Sequence, residues 1–176
     1  MSHPVCVVGA GAGFAGDRID PAVVLARSGV DAVVLECLAE RTIALAQLEK
    51  QRHPELGYDP MLEDRLLAVW PDCLRLGVRI LSNMGAANPT GAGLAALRVA
   101  RQLGLSPRIA VLHGDDVWHT LRQQGMHLVL QDRGLPLSAL ADQVVSANAY
   151  LGAEHLLPAI TTGAEVIITG RVADPA

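Results

Sequence analysis

Short apolar runs alternate with longer amphipathic stretches along almost the whole chain. Cys6-Val7-Val8, Ala32-Val33-Val34-Leu35, Val78-Arg79-Ile80-Leu81, Arg108-Ile109-Ala110-Val111-Leu112, Val144-Val145-Ser146-Ala147-Asn148 and Val166-Ile167-Ile168-Thr169 are too short for helices and rich in β-branched residues. They read as six strands. Helices are predicted over Pro21–Ser28, from the Glu36–Thr42 stretch to Arg52, and over Met61–Leu76, Pro89–Leu103 and Ala153–Thr162. Ala39, Ile43 and Ala46 give one of them an apolar stripe; Leu62, Leu66, Val69 and Cys73 give another, with Pro71 placed to kink it. Asp20-Pro21 and Asp59-Pro60 read as caps followed by proline in the first turn, and Gly29, Gly77, Gly104 and Gly163 read as stops. Val117–Asp142 has no such period and predicts a short helix followed by an irregular excursion.

Strands without a polar face, each followed by a helix, imply a mostly parallel sheet covered by helices on both faces, because a parallel crossover needs a helix to carry the chain back. The expected fold is a doubly wound, Rossmann-like α/β domain, with a partial α/β barrel as the alternative. Composition agrees. The 176 residues are 51% apolar and 18% charged, and they suit one domain filled by Ala, Val, Leu and Ile rather than by the two Trp, two Tyr and one Phe.

A net charge of -4 and the absence of any basic run give no footprint for nucleic acid. Cys6, Cys37 and Cys73 are odd in number and lack zinc spacing, so all three read as thiols in a reducing compartment. Met1-Ser2-His3-Pro4 runs straight into the first strand, and no segment approaches the roughly eighteen apolar residues of a membrane span. A cytoplasmic protein without membrane contact is expected.

The first strand empties into Gly9-Ala10-Gly11-Ala12-Gly13-Phe14-Ala15-Gly16-Asp17-Arg18-Ile19-Asp20. Such glycine-rich loops let a ligand approach main-chain N–H groups, which favours an anion. Gly11, Gly13 and Gly16 satisfy G-x-G-x-x-G, and Glu36 lies twenty positions after Gly16. The register differs from a dinucleotide fingerprint, however, because Asp17–Asp20 still separates the last glycine from the helix. NAD(P) is therefore disfavoured, a nicotinamide-dependent oxidoreductase is the third-ranked reading, and no cofactor is predicted.

Ligands of α/β sheets sit beyond the carboxyl ends of the strands. That rim collects Asp17 and Arg18 after the first strand, Glu36, Glu40 and Arg41 after the second, and Asn83 and Asn88 after the third. His113, Asp115 and Asp116 follow the fourth, Asn148 the fifth, and Arg171 and Asp174 the sixth. Asp20, Asn88 and Asp115 are each explained equally well as helix caps. The inventory permits acid–base or carbanion chemistry. Asp17, Glu36, Asp116 and Asp174 are the proton-transfer candidates. Gly11, Gly13, Gly16, Arg18, Arg41, Asn83, Asn88, Asn148 and Arg171 are the substrate-binding candidates. Cys37 reads as a buried thiol rather than a nucleophile, and no metal site is predicted, although Asp115-Asp116 with Glu36 has the chemistry to hold magnesium.

GAGAGFAGDRIDPA, ECLAERT, NMGAANP, HGDD, SANAYLGA and ITGRVADP, in that order, resemble the successive blocks of the acyclic terpene utilisation family, AtuA, over nearly the whole chain. The resemblance implies the N-terminal part of a longer family domain, associated with bacterial catabolism of citronellol- and geraniol-type compounds through acyl-CoA intermediates. On it rests the expectation of a lyase- or hydratase-like enzyme acting on a branched acyl-CoA or carboxylate. A different class stays open beside it, a non-catalytic binding or assembly subunit. The expected partners are a C-terminal domain or second subunit, in a homo- or hetero-oligomer. The apolar run Val166–Thr169 predicts a buried parallel strand that brings Arg171 and Asp174 to the rim near Asp17 and Glu36.

Overall fold

The computed structural model describes residues 5–174. The opening Met1-Ser2-His3-Pro4 lies outside them. Five strands, β1 (Val8–Ala12), β2 (Ala32–Leu35), β3 (Arg79–Ser82), β4 (Ile109–Val111) and β5 (Val166–Ile168), form one parallel sheet in the order β1-β2-β3-β5-β4. The sheet is open, with β1 and β4 at its edges, so the barrel alternative is set aside in favour of the doubly wound form. The strand latest in sequence lies between β3 and β4.

Among the described residues six α-helices accompany the sheet: α1 (Asp20–Ala26), α2 (Glu40–Arg52), α3 (Leu62–Leu76), α4 (Pro89–Gln102), α5 (Trp118–Gln124) and α6 (Leu157–Thr161). Helices α1, α3 and α4 bury one face of the sheet. Ala22, Leu66, Val69, Trp70, Ala95 and Val99 pack there with Val33, Leu35, Ile80, Val166 and Ile168. On the other face Ala159 and Ile160 cover Ile167, Leu81 and Ala110. That cover stops short of β1 and β2, where Val8 is 59% exposed, Ala10 is exposed and Val34 is half-buried. Helix α2 stands at the carboxyl end of the sheet and packs Ile43 on Leu38 and Ala86.

Several local expectations change. Val144–Asn148 is not a strand: it runs outside the sheet, and only Asn148 bridges antiparallel to Asp116. The segment pairs with the loop after β4 through that bridge rather than with an edge strand of the sheet. Asp20 is the first residue of α1 rather than its cap; Ile19 holds the cap position without a side-chain bond. Pro71 lies inside α3 without ending it. The predicted helix from Ala153 opens as a 3-10 turn, Ala153–Leu156, before α6. The irregular excursion after α5 is present as turns and two 3-10 segments, Leu137–Ala139 and Ala141–Gln143.

Candidate active site

The first strand does not stop where the glycines begin. β1 continues through Gly9 and Gly11 because α1 and β2 crowd them. A Cβ on Gly11 would lie 2.7 Å from Val33 and 3.0 Å from Ala22 and Leu35. Gly11 is thus buried in the sheet, whereas Gly13 and Gly16 sit in the open turn beyond it, with open space where a Cβ would lie and Gly16 at φ 85°. That turn already holds an anion. The Asp17 carboxylate accepts hydrogen bonds from the Gly13 N–H (3.1 Å) and the Arg18 N–H (2.8 Å). These bonds, Gly13's first, hold its carboxyl below the usual carboxylate range.

A cavity of about 630 Å³ opens beside this turn at the carboxyl ends of β1, β2 and β3. Its walls are mostly apolar: Ala15, Cys37, Leu38, Leu45, Ala46, Leu56 and Ala86. Leu45 and Leu56, both exposed, line this cavity. Helix α2 and the β2–α2 connection supply part of the wall, and two interlocked loops, the α2–α3 connection and the β3–α4 connection, supply the rest of it with Ala15 and Glu63. Asp59 N–H donates to the Met84 carbonyl (2.8 Å), Ala87 N–H to that of Gly57 (2.9 Å), and Asn88 Nδ2 to those of Pro54 (3.1 Å) and Leu56 (2.8 Å). Asn88 Oδ1 also accepts from the Gly91 N–H at the start of α4 (3.0 Å). Ala86, in the same loop, holds a left-handed φ of 45°, the only non-glycine residue among those described to do so.

The polar lining is acidic: Asp59, Glu49 and Glu63, with Tyr58 and Thr42. Asp59 is 6% exposed. Burial raises its carboxyl above the ordinary aspartate value, opposed by the hydrogen bond from the Met61 N–H (2.8 Å) and by the Arg65 charge. A buried carboxyl with a raised affinity for protons in the wall of an apolar cavity is a candidate general acid or base. Cys37 lines the same wall at 2% exposure, and burial pushes its thiol up to about 12, which leaves it a neutral packing group.

The other rim residues fall into two groups. Beside the cavity, Asn83 Nδ2 donates to Glu36 Oε1 (2.9 Å) while its Oδ1 accepts from the Cys37 N–H (2.7 Å), locking the end of β2 to that of β3. At the end of β5, the guanidinium of Arg171, 3% exposed, donates to the Leu38 carbonyl (2.5 Å), Glu40 (3.1 Å) and Asp174 (2.8 Å). It also stacks 4.2 Å from the ring centroid of Tyr150, whose hydroxyl donates to Glu40. Asp115 supports this cluster from below, accepting from the Arg171 N–H (2.9 Å) and Asn148 Nδ2 (3.1 Å). Because Leu38 lines the cavity, Arg171 buttresses its wall from behind. Its partners are Glu40 and Asp174 rather than Asp17 or Glu36.

Asp116 accepts from the Trp118 N–H (3.2 Å) at the start of α5. Arg41 is exposed on α2, and the side chain of Arg18 is 77% exposed, 4.0 Å from Asp20. His113 lies beyond the β4 edge, 3.4 Å from Thr90. Among the described residues no three His, Cys, Asp or Glu side chains converge as a metal site would require. Sequence reading missed Asp59, which it assigned to a cap, and Arg65, hidden in the apolar stripe of α3 at a position where a leucine would be expected.

No helix among the described residues is long and apolar enough to cross a membrane. No curated protein and no solved structure matches the chain. The model of one family, described as acyclic terpene utilisation family protein AtuA, matches residues 6–176. Over an open parallel sheet with its cavity at the strand ends, that match spans nearly the entire chain, which therefore belongs to the acyclic terpene utilisation family AtuA and to its catabolic setting.

Proposed function

We propose that the protein is a catabolic enzyme of acyclic terpene breakdown, lyase- or hydratase-like, that handles a branched acyl group by acid–base chemistry at the carboxyl ends of β1–β3. One observation carries this reading: a largely apolar cavity of about 630 Å³ with a single deeply buried carboxyl, Asp59, in its wall. That volume is in the range of small-ligand sites and suits a branched aliphatic chain. Asp59 exchanges the proton, and the backbone N–H of Met61 fixes its orientation. Asp17, Glu36, Asp116 and Asp174, taken by their bonds to backbone or to partner side chains, hold the frame around it. The test is Asp59→Asn assayed with branched acyl-CoA thioesters and branched acids. Turnover should vanish while ligand binding changes by less than about threefold, a ratio worth under 1 kcal/mol. Full turnover by the variant removes Asp59 from the chemistry.

A second reading, a binding or assembly subunit that completes a site with a partner chain, has one observation in its favour: the uncovered apolar face of β1 and β2 around Val8, Ala10 and Val34. Activity that appears only on coexpression with a neighbouring gene product would select it.

A further inference from the structure

Most of the polar side chains that line the cavity are already engaged by their neighbours. Thr42 Oγ1 donates to the Ala39 carbonyl (2.9 Å) and accepts from the Ala39 N–H (2.7 Å). The Tyr58 hydroxyl donates to Glu63 (3.4 Å), and Arg98, which stands outside the lining, donates to Tyr58 (3.2 Å) and to Glu63 (2.7 Å). No Lys or Arg lines the cavity. Apart from the Cys37 thiol, a weak donor, no side-chain donor of the lining is left free.

Two acceptors stay open. Glu49, half-buried on α2, is neither hydrogen-bonded through its side chain nor ion-paired among the described residues. Asp59 gives Oδ1 to the Met61 N–H (2.8 Å), but its Oδ2 accepts nothing among the described residues and, unlike the sealed Trp70 Nε1, is not closed off. In a residue only 6% exposed that lines the cavity, the open oxygen faces the cavity. A desolvated acceptor without a donor is costly, so the ligand's polar group has to supply the hydrogen. A carboxylate supplies none and adds a further negative charge to an acidic wall; an ether or ester supplies none either. A hydroxyl does.

Resting on the reading that the cavity takes a branched aliphatic chain, we propose that the polar group this chain carries into it is a hydroxyl, held by Asp59 Oδ2, and that Glu49 keeps anionic groups out. The ligand is a branched chain bearing a hydroxyl, and a carboxylate or thioester end, where the chain has one, stays outside. A hydroxyl held there lies at the group assigned the proton exchange, as addition or loss of water requires.

Titration calorimetry at pH 7 on the whole chain tests this with four probes that share one carbon skeleton: a dimethyloctanol, its methyl ether, the matching acid and the matching amine. The alcohol should bind about tenfold more tightly than the ether or the acid, the value of one hydrogen bond to a charged acceptor. Asp59→Asn leaves Oδ1 to the Met61 N–H and turns an amide donor toward the cavity, so the ether should gain until the alcohol's advantage is lost. Glu49→Gln should raise the acid's affinity severalfold and leave the ratio of alcohol to ether unchanged. An ether or acid that equals the alcohol, or an amine that outranks it, overturns the hydroxyl assignment and leaves the cavity reading standing. An alcohol preference that survives in Asp59→Asn removes Asp59 as its acceptor, and an acid that gains nothing in Glu49→Gln removes Glu49 as the barrier. Failure of all four probes to bind overturns the cavity reading as well. Should Asp59→Asn not fold, the wild-type ranking and Glu49→Gln decide the matter.

Discussion

At the scale of single residues, Asp59 makes stability depend on pH. Its raised carboxyl binds protons more readily in the folded chain than in the unfolded one, so stability falls as pH climbs through the window from the ordinary aspartate value to the raised one. Above that window the fold carries an ionised group that burial disfavours. Asn at this position keeps an oxygen for the Met61 N–H and discards the charge. Asp59→Asn should therefore melt at or above the wild-type temperature at pH 7, with the difference vanishing below the ordinary aspartate value; calorimetric melts across pH check this. A lower melting temperature at pH 7 would mean that the charge stabilises the fold. The cysteines give a second prediction. Cys6 is exposed, whereas burial pushes Cys37 up to about 12 and Cys73 to about 11. Iodoacetamide at pH 8 should label Cys6 alone in the native protein, and all three after denaturation, as read by mass spectrometry.

At the scale of elements, the glycines of the opening stretch divide by neighbour rather than by motif. Gly11→Ala pushes a methyl group into Val33, Ala22 and Leu35 and should cost about 1–3 kcal/mol in urea unfolding. Gly13→Ala meets open space and should stay within about 0.5 kcal/mol. Equal costs would contradict the crowding argument. The same distinction explains what could be read from the sequence. Runs such as Val33–Leu35 and Val166–Ile168 announce buried strands because they have no polar face, and the glycines and prolines around them mark the helices. Val144-Val145 carries the same local signal and is not a strand, since whether a run finds a partner depends on sheet order, which local periodicity does not encode. Of the site, the rim position was legible from strand ends alone. The Glu36–Asn83 and Arg171–Glu40 pairs needed the fold, because they join residues far apart in the chain. Arg65 did leave a trace: a charge set between Leu62, Leu66 and Val69 on the buried stripe of α3.

At the scale of the whole molecule, Arg171 fastens the end of β5 to the start of α2 and to Tyr150. Arg171→Met strands the Leu38 carbonyl and should cost about 1–3 kcal/mol. Glu40→Gln, at a side chain 71% exposed, should cost less than about 1 kcal/mol. In Arg171→Met the amides of Leu151 and Ala173, which pair across this junction, should exchange with solvent faster by hydrogen–deuterium mass spectrometry. Unchanged exchange would confine the guanidinium's role to its immediate contacts.

The order β1-β2-β3-β5-β4 also sets a schedule for the growing polypeptide. As the chain leaves the ribosome, β1, β2 and β3 can pair in turn, but β4 emerges with no neighbour, because its sheet partner is β5. Until Val166–Ile168 appears, β3 presents a bare edge, and Ile109–Val111 waits beside α4 as an unpaired strand. The slot between β3 and β4 is filled last, at the greatest separation in sequence, and non-local closure of this kind slows folding and prolongs exposure to aggregation.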